Sequence, residues 1–146
     1  MRISIIALFL LSPLFIFSQT KTAETVRILK FIKNDDIGAF AKFMHEGNDI
    51  DDCYEMRGSS YSMLILSIKY DAKKIFRKCL AMKADVEQTC SEKTPLMYSV
   101  KYNRKDFMEV LLRRGVDKAM EDADGSNAYQ QAKKYKRKDF LPLLSE

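Results

Sequence analysis

The chain has 146 residues, a formal net charge of +5, three cysteines and a single histidine. A length of this order suits one domain. The cysteine and histidine content excludes a Cys-x-x-Cys or histidine-rich metal centre, and net charge alone implies no partner, because solubility explains it equally well.

The first predicted element is a leader. Arg2 precedes the largely apolar run Ile3 to Phe17, interrupted by Pro13 and followed by Ser18, Gln19 and Thr20. A basic start, an apolar stretch and a small residue at its end form the pattern of a secretory signal, so residues 1–18 are expected to be a signal peptide cut near Ser18. The run is shorter than the roughly 20 residues needed to span a bilayer. Without it the charge is uneven: residues 19–60 carry 6 basic and 8 acidic side chains, whereas 61–146 carry 18 and 12. Units stacked in a line convert that asymmetry into a long-axis polarity that steers an acidic partner toward the C-terminal end.

Beyond the leader the chain repeats. KYNRKDFMEVLL at 101–112 returns as KYKRKDFLPLLS at 134–145, an offset of 33 residues. A fixed offset of that size marks stacked units that present a surface and do not enclose an active site. In chain order the units fall at 24–56, 57–90, 91–123 and 124–146. The first is carried by Asp35, Phe40, Met44, Gly47, Asp49 and Ile50, with a surplus stretch, DDCYEMRGSSYS at 51–62, and no hairpin of its own. The second keeps Lys69, Tyr70, Leu80, Ala84, Asp85 and Val86, and the last opens with Gly125, Ala128, Tyr129 and Ala132. Ile75, Cys79 and Leu80, like Phe107, Val110, Leu111 and Leu112, recur at helical spacing. No alternating run is long enough to argue for a sheet, so an all-α domain over 19–146 is expected.

The third unit, TPLMYSVKYNRKDFMEVLLRRGVDKAMEDADG at 94–125, resembles the ankyrin repeat: Thr94, Pro95, Leu96, Leu111, Leu112, Gly115, Asp117 and Gly125 fall on that pattern. Met97 stands in place of the usual His, Asn103 in place of the inter-helix Gly, and Lys83 of the second unit in place of the Gly after the second helix. The resemblance implies an ankyrin-type α-solenoid of helix-turn-helix repeats joined by short hairpin loops. It also implies a concave face, lined by first helices and hairpins, that holds a protein partner.

Chemistry is sparse. His45 is placed at a helix end, Asp35-Asp36 and Asp51-Asp52 in turns where capping accounts for them, and the serines of 58–60 lack a nucleophile frame. No enzymatic activity, metal or cofactor is expected. Cys79 takes a core position. Cys53 and Cys90 follow successive second helices, and the sequence leaves open a disulfide or two free thiols. A bridge needs Cα atoms within about 7 Å, closer than stacked units usually come.

The most specific pattern is a ladder: Lys69-Tyr70, Lys101-Tyr102 and Lys134-Tyr135 stand at one place in three consecutive units. Tyrosine offers a large contact area at low entropic cost. Tyr98 and Gln131, one turn earlier, and Arg104, at the start of a second helix, are its expected neighbours in a partner-binding face. The cluster KKYKRK at 133–138 spans a helix, a turn and a second helix. Its charges then point in several directions, so no nucleic-acid role is expected. These features predict an exported monomer, periplasmic or secreted, that binds a protein through its concave face as an inhibitor, immunity or protective factor. The alternative is an envelope protein in peripheral membrane contact, held by its basic C-terminal half to anionic lipid or polymer.

Overall fold

The computed structural model describes residues 13–145, with side chains from residue 21 onward. Residues 1–12 of the expected signal peptide therefore lie outside the described residues, while 13–18 begin helix α1, Pro13–Lys33. Helix α2, Ile37–His45, follows. A hairpin of β1, Tyr54–Met56, and β2, Ser59–Tyr61, leads into α3, Met63–Tyr70, and α4, Lys73–Ala81. Then come α5, Pro95–Lys101, α6, Lys105–Arg113, α7, Ala128–Lys134, and the short α8, Leu141–Leu144. Among the described residues no helix is long and apolar enough to cross a membrane.

The helices pair in sequence, and the first helices α1, α3, α5 and α7 pack side by side in that order. Each layer is amphipathic where it meets the other. Ile28, Phe31 and Ile32 of α1, Ile75, Phe76, Cys79 and Leu80 of α4, and Phe107, Met108 and Leu111 of α6 are buried in one continuous core. α3 and α5, flanked by units on both sides, are buried nearly throughout, from Met63 to Ile68 and from Pro95 to Val100. At about 25 cal/mol per Å² of apolar surface, this inter-unit burial stabilises the stack, since a lone helix pair has nowhere to hide these faces.

Local chemistry starts and stops the helices at repeat spacing. Ser62 and Thr94 cap α3 and α5, their hydroxyls accepting from the amides of Ile65 and Met97 at 3.3 Å. Asn127 caps α7 through a reciprocal box with Gln130. The link between paired helices is left-handed in every unit, at Asp35, Asp71, Asn103 and Lys136, with φ of 48°, 60°, 58° and 57°. Asparagine and aspartate tolerate that conformation through local hydrogen bonds, which is why Asn103 replaces glycine without altering the link. After the second helices, Gly47, Lys83 and Gly115 occupy the equivalent left-handed position. The turn at Lys83 keeps the shape of the others, so the lysine bears the strain.

The sequence shows no hairpin in the surplus stretch at 51–62. In the structure that stretch forms an antiparallel hairpin in which Tyr54 pairs with Tyr61 and Met56 with Ser59. Its tip, Arg57 and Gly58, has positive φ at both positions, the turn whose twist matches paired strands. The strands have only three residues each, too few for alternation to register in the sequence. Ser91 and Glu92 repeat the turn one unit later, between the bridged residues Cys90 and Lys93.

Candidate partner-binding face

Consecutive first helices end with their lysine and tyrosine side by side, and the packed units interleave them. The Lys69 ammonium lies 5.7 Å from the Tyr70 ring centre and 5.9 Å from that of Tyr102. Lys101 lies 5.6 Å from Tyr102. Lys33, at the end of α1, lies 5.7 Å from Tyr70. The order across three units is therefore Lys33, Tyr70, Lys69, Tyr102, Lys101, each ring between its own lysine and that of the unit before. Attraction of an ammonium to a ring face is worth about 0.5–1 kcal/mol at an exposed site, so the row is held in register without a covalent tie.

Beneath this row sits a tyrosine cluster. Tyr98 stacks on Tyr102, with centroids 6.0 Å apart and planes 7° from parallel, and meets Tyr61 at 5.6 Å. The Lys69 ammonium stands 3.9 Å from the Tyr61 ring centre. Burial pushes the Tyr98 phenol up to about 12. Burial, reinforced by the neighbouring Tyr61, raises the Tyr102 phenol as well. For Tyr61 burial acts upward, but hydrogen bonding to Lys69 and Ser59 outweighs it and lowers the phenol below its ordinary value.

The structure sorts the expected site residues into two groups. Lys69, Tyr70, Lys101 and Tyr102 come together on one half-buried face. Lys134 and Tyr135 follow at the equivalent place in the last unit, Lys134 exposed and Tyr135 half-buried against the core. The other expected neighbours are placed differently. Tyr98 and Gln131, each 3 % exposed, lie under the face. The expectation that they share its surface is corrected, because one turn earlier on a first helix points toward the adjacent unit. Gln131 donates to Asp122 at 2.8 Å. Arg104 is engaged between units: its Nε donates to the Ile68 carbonyl at 3.4 Å and its Nη1 lies 3.6 Å from Asp71.

Sequence reasoning missed Lys33 and Tyr61. Lys33 precedes Lys69 by 36 residues, the same step that relates Asp35 to Asp71, so extending the ladder backward would have found it. Tyr61 has no tyrosine at the repeat offset, since Lys93 and Ser126 hold the corresponding places, and no periodic signal could reveal it.

Cys53 and Cys90 are joined by a disulfide, with Cα atoms 5.8 Å apart. Of the two alternatives that the sequence leaves open, the structure has the bridge. The hairpin carries Cys53 forward beside the next unit's loop, where Ser60 donates its amide to the Ser91 hydroxyl at 2.8 Å and Asp85 donates to Asp51 at 2.8 Å. Cys79 is a buried free thiol, raised to about 12 by burial. The turn carboxylates serve the backbone. Asp36 caps α2, and Asp35 reaches into the next unit to accept from the amides of Lys74 and Ile75 at 2.8 and 2.9 Å.

Helix pairs linked by left-handed residues, hairpins between units and a shared first-helix layer define a repeat solenoid, an open architecture that binds along one face. An ankyrin repeat profile, in three copies, matches residues 28–122, and the chain belongs to the ankyrin repeat family, whose members are protein–protein interaction modules. No curated protein matches the chain.

Proposed function

We propose that this chain is an exported, non-catalytic binding protein that holds one protein partner on the face formed by its first helices and hairpins, acting as an inhibitor, immunity or protective factor. The observation that carries this reading is the interleaved row of lysines and tyrosines across three units. Half-buried tyrosines fixed by their neighbours lose little rotamer freedom on binding, and aromatic anchors dominate interface energy. Export draws support from the apolar leader and from the Cys53–Cys90 bridge, since disulfides persist in oxidising compartments.

The test is crosslinked capture from the envelope fraction of the source cells, with the native chain beside a Tyr70→Leu, Tyr102→Leu, Tyr135→Leu variant. Leucine keeps apolar contact with the core and removes the phenol. Capture is expected to survive high salt in the native chain and to be lost in the variant, with thermal unfolding little changed. Equal capture by both, washed off by salt, would instead favour the basic C-terminal half, where Lys134, Lys136 and Lys138 are exposed, resting on anionic lipid or polymer.

A further inference from the structure

Lysines in this structure differ in what surrounds them. Lys21, Lys73 and Lys93 pair with Glu55, Asp106 and Asp122. Among the described residues no carboxylate lies within ion-pair distance of Lys33, Lys69 or Lys101, whose neighbours are tyrosine rings. A ring face attracts an ammonium but accepts no full charge, and the Tyr61 hydroxyl takes only one of the three N–H donors of Lys69, so each ladder ammonium keeps donors for an incoming carboxylate. The rings also fix where those ammonium groups stand, which lowers the ordering cost when a ligand arrives.

The spacing then specifies the ligand. Packed helices lie about 8–10 Å apart, so successive ladder lysines repeat at about that step along the stack. An extended polypeptide in the polyproline II conformation advances about 3.1 Å per residue with three residues per turn, which keeps every third side chain on one face and brings it opposite the next lysine. Tyr70 and Tyr102, set between the cations, offer apolar contact to the residues between. A plane of lipid headgroups carries charge without that alternation.

Building on the proposed binding role, we infer that the ladder recognises an extended segment of a partner protein bearing aspartate or glutamate at every third position. The carboxylates engage Lys33, Lys69 and Lys101, and the intervening residues lie on Tyr70 and Tyr102. This names the partner's chemistry, which the binding role alone does not.

The experiment measures binding of the purified chain to two short labelled peptides of identical composition, one with glutamate at every third position and one with the glutamates clustered, and to phosphatidylglycerol vesicles. The spaced peptide is expected to bind. Lys69→Gln with Lys101→Gln should weaken it at least about tenfold, while Lys74→Gln with Lys78→Gln, exposed on α4, leaves it unchanged. Thermal melts should show both variants folded and cooperative, the ladder variant melting somewhat lower for its lost ring contacts. Equal binding of the clustered peptide, binding to vesicles with both peptides silent, or no binding to any probe would overturn the inference. If the spaced peptide fails while the tyrosine variant still loses its captured partner, the binding role stands and only the acidic spacing falls. If the tyrosine variant captures normally, the role itself falls.

Discussion

Asp122 shows how much one side chain can hold. Its side chain is 3 % exposed, and it accepts from the Lys93 ammonium, from Gln131 at 2.8 Å, and from the amides of Ser126 and Asp124 at 3.0 and 3.1 Å. The Lys93 bond is the largest influence holding its carboxyl below the ordinary range; burial opposes it and the amides add to it. Because the folded group titrates lower than the unfolded one, its contribution is complete above the unfolded value and fades as pH falls through the folded value. Melting temperature followed from about pH 6 down to 3 should fall more steeply in the native chain than in Asp122→Asn, which has no carboxylate to protonate. Parallel curves would deny Asp122 this part.

At the scale of elements, the turn after each second helix is the clearest constraint. Gly47 and Gly115 adopt φ of 95° and 78°, and Lys83 is held at 63° between them in the series. A β-carbon in the left-handed region costs about 1 kcal/mol or more, offset in part by the added entropy of an unfolded glycine. Lys83→Gly is therefore expected to stabilise the chain by about 0.5–1 kcal/mol, and Gly115→Ala to destabilise it by about 1 kcal/mol. Urea unfolding of both measures this. The same sign for both would show that the turns are not equivalent. The links between paired helices follow the same logic with different residues. Asp35, Asp71 and Asn103 meet the left-handed requirement through short polar side chains, and Asp35 adds a cap for the next unit's α4.

Over the whole molecule, cohesion comes from contacts between units. The continuous core is one source; the Cys53–Cys90 bridge, closing 37 residues, is another. A loop of that size constrains the unfolded chain enough to contribute about 2–4 kcal/mol. Cys53→Ser with Cys90→Ser, or thiol reduction of the native chain, should lower urea stability by about that amount. Stability unchanged by reductant would show the hydrogen bonds between neighbouring hairpins to be sufficient. Ankyrin units couple through nearest neighbours, so the loss should concentrate in the first two units.

The sequence by itself determined the helix pairs, their order and their family, because an offset of 33 residues and apolar positions at helical spacing are local and periodic. It also located Lys69, Tyr70, Lys101 and Tyr102, since equivalence in the repeat places equivalent side chains on one face. Only the tertiary structure decided what lies between units. Tyr98 and Gln131 go beneath the face, Lys33 and Tyr61 join the tyrosines, and a hairpin of two three-residue strands brings Cys53 to Cys90. Each depends on the packing distance and rotation of one unit on the next, and no spacing along the chain encodes those quantities.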